Sequence, residues 1–294
     1  MRLLTAWLLL LSIPVGAAAW GEKGHLIVNR LALDAGSSNL PQFMNSARDQ
    51  IIYNGVEPDR WREEGRESSM NAAQSPDHFF DSEYWGAIAS IEVDRYIFME
   101  KVAARKIELA KIGYLPYAIV ENYGKLVNAF RFWRNAKTPQ DRESARANAV
   151  YIAGVLGHYV GDASQPMHMS IHYNGWADNT PNPKNYTKDR GLHSRYEAAY
   201  VNAAIEAAAV QPQVRAPQRL TNVWTSIKQH LTQGFADLEP MYELEKAGEF
   251  NPQQPRAKGT AFIATQIARA ATMLSNLWYT AWLESAEPVP NQRP

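Results

Sequence analysis

Apolar residues recur at helical spacing along most of the chain. Leu26, Ile27, Leu31 and Leu33 are set among polar positions over residues 22–35 and predict a first helix. A second helix is predicted over 92–112, stopping at Gly113, and a third over 117–135 after the Leu115-Pro116 break. Thr138-Pro139-x-Asp141 is a helix-start signal, with Pro early in the first turn. It opens a helix to about Gly161 in which Val150, Ala153, Val155, Leu156 and Tyr159 are apolar. Residues 192–210, 221–235 and 256–285 complete the predicted set, while 81–85 and 174–190 read as loops. β-branched alternating runs are scarce, and there is neither an internal repeat nor a clear linker. The pattern therefore predicts an all-α, single compact multi-helix domain.

The first nineteen residues break the pattern. Met1-Arg2 gives a positive start, residues 3–15 form a short apolar run, and Gly16-Ala17-Ala18-Ala19 is a small-residue cleavage site. This predicts a signal peptide over 1–19, cut after Ala19, and a domain over 20–294 that begins at Trp20 and is secreted or periplasmic. A membrane span needs about 18 apolar residues, and no later stretch approaches that. With 46% apolar and 20% charged residues, the chain is not a disordered one. Its 30 basic and 30 acidic residues cancel, so any grip on phosphate must come from local cations rather than bulk charge. The sequence has no Cys, which excludes disulfides, a thiol nucleophile and thiolate metal ligands. Any metal must sit among His, Asp, Glu and backbone donors.

Candidate chemistry is concentrated in histidine spacing. His158-Tyr-Val-Gly-Asp162 sets an imidazole and a carboxylate four apart on one helix face, and His193-Ser-Arg-Tyr-Glu197 repeats the arrangement. His168 follows Asp162 by six residues, just past Pro166, which should end the helix. Alone, either pair is more often a surface pair or a satisfied core contact. Together, with His168 nearby and no Cys, they point to a metal site of the nitrogen and oxygen donors that zinc accepts. Asp59 alone would be a helix cap, and His78 a loop histidine.

Five segments, in order, resemble a known superfamily: Trp20-Gly-Glu-Lys-Gly-His25, Pro58-Asp59-x-x-Arg62, His78-Phe79-x-Asp81, His158-x-x-x-Asp162-x-x-Gln165-Pro166-x-His168 and His193-x-x-x-Glu197. They are similar to the motifs of the trinuclear-zinc phosphodiesterases. That group contains the single-strand-specific nucleases of the S-one/P-one type and the bacterial zinc-dependent phospholipases C. The resemblance spans residues 20–197; beyond it the chain matches only as generic helix.

The resemblance implies three Zn2+ at the bottom of a cleft. Zinc one takes Asp59, His78, His158 and Asp162; zinc two takes His168, His193 and Glu197; zinc three takes the main chain of Trp20, with His25 and Asp162. Asp162 would bridge two ions, and leader removal would free the amine at Trp20. His172 and His230 fall outside the pattern and are read as non-ligands. The implied reaction is attack by metal-activated hydroxide on phosphorus. Asp59 accepts the water's hydrogen bond and Arg62 binds the transition-state phosphate, while Phe79 and Asp81 contact a base. The implied function is a secreted nuclease acting on single-stranded DNA and RNA, with accompanying 3′-nucleotidase activity. Short Trp20-to-His25 spacing and Arg62 favour the nuclease. The string from His193 to Glu197, with Glu in place of Asp, looks like the phospholipase version. The alternatives are a phospholipase C-like hydrolase of phospholipid head groups and a non-catalytic periplasmic zinc-binding protein. No protein partner is implied.

Overall fold

The computed structural model describes residues 20–62 and 68–288, so the predicted leader over 1–19 lies outside the described residues. The chain is an all-α single domain, with no strand among those residues. Five helices form its frame: α1 (Gly21–Gly36), α2 (Leu115–Asn135), α3 (Pro139–Asp162), α4 (Val223–Ala236) and α5 (Ala257–Glu284). α3 packs along α2, α1 lies along α5, and α3 also meets α1 and α5.

Local sequence explains these limits. Thr138 caps α3 by accepting the N–H of Asp141, as the start signal predicts. Pro116 sits in the first turn of α2, where its missing N–H costs nothing, so Leu115-Pro116 begins this helix rather than separating it from the last. From Ala153 to Asp162 every residue of α3 is buried, which makes its C-terminal half the centre of the molecule. Small residues permit this crowding. A Cβ on Gly157 would lie 1.7 Å from Oδ1 of Asn29. The Asn29 amide in turn donates to the carbonyls of Ile51 (2.9 Å) and Gly154 (3.1 Å), tying α1 to α3 and to the short helix Arg48–Asn54.

Some predicted elements are divided. The helix expected over 92–112 is two, Arg95–Ala104 and Leu109–Ile112, because Lys106 between them adopts a left-handed conformation (φ 59) that a helix cannot continue through. The helix expected over 192–210 breaks at Ile205, which turns to an extended conformation and is buried. The expected loop over 81–85 holds a helical turn, Ser82–Trp85, that buries Trp85. The helix Leu238–Lys246 had no counterpart in the pattern reading. No helix among the described residues is long and apolar enough to cross a membrane.

Candidate metal centre

The C-terminal turn of α3 carries His158 and Asp162, one helical turn apart and fully buried. Around it gather side chains from six other segments. His25 comes from α1, Asp59 from the short helix Glu57–Arg60, and His78 from the end of the turn Ser75–His78. His168 lies in the turn Pro166–Met169, and His193 in Leu192–Ser194. Glu197 lies in a π-helical turn, Arg195–Tyr200.

Asp162 sits at the middle. Its Oδ2 is 3.1 Å from Nδ1 of His78 and 3.4 Å from Nε2 of His158, while Oδ1 is 3.5 Å from Nε2 of His25 and 3.8 Å from Nδ1 of His168. Asp59 Oδ1 lies 3.8 Å from Nδ1 of His78 and 3.7 Å from Nε2 of His158. Glu197 Oε2 is 2.8 Å from Nε2 of His193 and 3.6 Å from Nε2 of His168. Three sets of donor atoms are close enough to share an ion: His78, His158 and Asp162; His168, His193 and Glu197; and His25, Asp59 and His158. The His25 ring stacks on His158 with centroids 3.9 Å apart. A Cβ on Gly161 would stand 2.9 Å from Nδ1 of His25, so this seat needs glycine.

Backbone carbonyls set the tautomers. Nδ1 of His158 donates to the carbonyl of Gly55 (2.9 Å), that of His168 to His78 (2.6 Å) and that of His193 to Tyr173 (2.7 Å). A carbonyl can only accept, so each Nδ1 carries hydrogen and each Nε2 is left to bind something else. The Nε2 atoms of His168 and His193 then face each other at 3.2 Å. Two imidazole lone pairs at that distance require a proton or a metal cation between or beside them. Six further buried atoms have no hydrogen-bond partner: Nδ1 and Nε2 of His25, Oδ2 of Asp59, Nε2 of His78, Oδ1 of Asp162 and Oε1 of Glu197. Buried polar atoms are rarely left so, and a cluster of them on one donor set fits metal cations.

Electrostatics point the same way. Burial pulls His25 well below the ordinary imidazole range, reinforced by His158, and pulls His78 down to about 3. Burial also opposes charge on His168, but the facing Asp162 and Glu197 outweigh it and raise this ring to about 9. Burial would neutralise Asp162, yet His158 and His168 hold it well below the usual carboxylate range. Asp59 is raised, chiefly by burial. Asp162 and Glu197 are thus held charged against protons on His158 and His168, and divalent cations displace such protons when they bind.

The remaining candidates are distributed around this centre. Nη2 of Arg62 lies 2.6 Å from Oδ1 of Asp59, in a half-buried pair. Trp20 adopts a left-handed conformation at the start of α1, and its backbone nitrogen donates to Oε2 of Glu197 (3.0 Å). Its indole donates to the carbonyl of Gly161 (2.7 Å). Phe79 is half-buried, and Asp81 is only 8% exposed, where burial and Glu83 raise it to about 8. His172 and His230 stand apart. His172 stacks on Trp176 at 3.7 Å, and His230 donates to the carbonyl of Val160 (3.0 Å). Sequence reasoning passed over Tyr173, which is 57% exposed with its ring 6.4 Å from that of His193. Its position five residues after His168 was the only available signal.

No family model matches the chain, and no curated protein matches it. Among solved structures it is similar to the alpha toxin from Clostridium absonum, at a TM-score of 0.44 and 12% identity. The match covers 92% of this chain and 65% of the toxin, just under two thirds of the toxin's length.

Proposed function

We propose that the protein is an exported zinc-dependent phosphodiesterase. Its domain would be residues 20–294, exposed by cleavage after Ala19. The observation that carries this reading is the pair of Nε2 atoms, of His168 and His193, facing at 3.2 Å beside the Glu197 carboxylate. Zinc would be held by Asp59, His78, His158 and Asp162, by His168, His193 and Glu197, and by His25 with Asp162 and the freed Trp20 terminus. Zinc bound there would supply the positive charge that neutralises a phosphodiester and would lower the pKa of water toward neutrality.

The chain's own residues supply the rest. Asp59 keeps Oδ2 free of partners and is raised by burial, so it is suited to accept a proton from an attacking water. Arg62 is held against Oδ1 of the same carboxylate, which fixes a guanidinium for the phosphoryl oxygens. Asp162, at the centre, keeps four imidazoles in register. Phe79 offers an apolar face.

Of the two substrate readings, a phospholipid head group is favoured. Glu197 and its flanking string resemble the phospholipase version, and Asp81, at 8% exposure, presents little surface to a base. Arg62 beside Asp59 favours single-stranded nucleic acid as the second reading. The test is metal analysis of processed protein, followed by incubation with phosphatidylcholine and, separately, with single-stranded DNA and RNA. Release of phosphocholine supports the first reading and release of nucleotides the second. Zinc retained with neither product refutes the enzyme and leaves a zinc-binding protein.

A further inference from the structure

We propose that Gln165 is a positioning residue that aims the Glu197 carboxylate at His168 and His193, an inference that rests on reading this cluster as a metal centre. Gln165 is fully buried between Asp162 and His168. Its Oε1 accepts the backbone N–H of Met167 at 2.6 Å and so caps the turn that carries His168. Because a backbone N–H can only donate, the orientation of the amide is settled, and Nε2 is the end that reaches away. That Nε2 lies 3.1 Å from Oε2 of Glu197, across 32 residues of chain.

Both ends of this one side chain therefore act on the same donor set. One end fixes the turn that places His168; the other fixes the carboxylate that stands between His168 and His193. Glu197 needs such a restraint. Its π-helical turn gives its side chain a direction that neighbouring α-helical turns do not dictate, and its Oε1 is buried without a partner. A neutral donor suits the task. It holds one carboxylate oxygen without adding charge, so the carboxylate stays anionic for a cation.

The turn has separate support behind it. Arg269 on α5 donates to the carbonyl of Ser164 (3.2 Å) and pairs with Asp237 (2.7 Å), while Gln266 accepts from the hydroxyl of Tyr196 (2.6 Å), next to Glu197. These contacts hold the two backbones. None of them touches the Glu197 carboxylate, whose Oε2 otherwise accepts the Trp20 backbone N–H (3.0 Å), so loss of the Gln165 amide should leave the fold but loosen the carboxylate and weaken the metal.

The experiment compares processed wild-type protein with Gln165→Leu and Gln165→Glu. Leu removes both hydrogen bonds. Glu keeps an acceptor for the Met167 N–H but sets a carboxylate against Glu197 in place of a donor. Each stripped protein is titrated with zinc against a chelating competitor, and its melting curve in chelator reports folding. Outer-shell partners of metal ligands are typically worth 10–100-fold in affinity. Both variants are therefore expected to bind one ion about 10–100-fold more weakly, with the others unchanged. The visible spectrum of the cobalt-loaded protein should change for that one ion. A residue that merely capped the turn would leave Gln165→Glu at wild-type affinity. Affinity equal to or tighter than wild type in either folded variant overturns the proposal, and if Gln165→Leu does not fold, Gln165→Glu decides. Wild-type protein that binds no zinc would remove the metal centre and this role with it. Wild-type protein that binds zinc but hydrolyses nothing would remove only the phosphodiesterase, and the affinities would still report on Gln165.

Discussion

If the cluster holds zinc as proposed, stripping it should cost this protein much of its stability. The six unpartnered atoms on His25, Asp59, His78, Asp162 and Glu197 are all buried. A buried polar group left unsatisfied costs roughly 1–3 kcal/mol; an ion takes only one ring nitrogen of His25, so the five atoms it can relieve amount to about 5–15 kcal/mol of unfavourable burial in metal-free protein. That is comparable to the whole stability of a typical domain, about 5–15 kcal/mol. Protonation of His168 and His158 offsets part of it, since both are raised by their facing carboxylates. Even the lower figure, at about 2 °C per kcal/mol for a chain of this size, gives a fall in Tm of at least 10 °C or so. The assay is circular dichroism melting at pH 7.5, with and without chelator, and with elemental analysis confirming that the metal has left. A shift of less than about 2 °C in fully stripped protein would refute the reasoning, because the orphaned atoms would then have found partners without a cation.

Other outcomes follow from the same geometry. Asp162→Asn should reduce the metal content of two groups at once, since its two oxygens face different histidines, whereas Glu197→Gln should empty mainly the His168 and His193 group. Equal metal content in the two variants, by elemental analysis, would contradict that division. Gly161→Ala sets a Cβ 2.9 Å from the His25 ring and should displace it, lowering zinc content and activity by at least tenfold with a stability loss of about 1–3 kcal/mol. A form retaining even one residue before Trp20 should bind one zinc fewer, because the backbone nitrogen there would be an amide rather than an amine. His230 is buried, and burial pulls it to about 4 from its usual 6.5. The unfolded chain therefore takes up the proton first. This stability is complete above about pH 6.5 and is lost as pH falls toward 4, by up to about 3 kcal/mol. Denaturant unfolding against pH should show a shallower acid limb in His230→Gln than in the wild type.

Helix period and ligand spacing are local properties, and the sequence carries them openly. The apolar rhythm of α1, α2, α3 and α5 could be read directly, as could the Thr138 cap and the two i,i+4 pairs, His158 with Asp162 and His193 with Glu197. Each depends on residues within a few positions of one another. The break at Ile205 and the π-helical turn under Glu197 were not legible, because both residues are buried against distant segments rather than set by their own neighbours, and nothing in the local sequence marks the left-handed break at exposed Lys106. Nor could spacing reveal that His78 would meet His158 across 80 residues, or which nitrogen each ring would keep free. Packing decided both. The small residues of α3 let α1 and the Arg48–Asn54 helix approach closely enough to bring Asn29 and the Gly55 carbonyl against it. That approach, fixed by steric fit between distant segments, turned a set of separately ordinary histidines into one buried cluster.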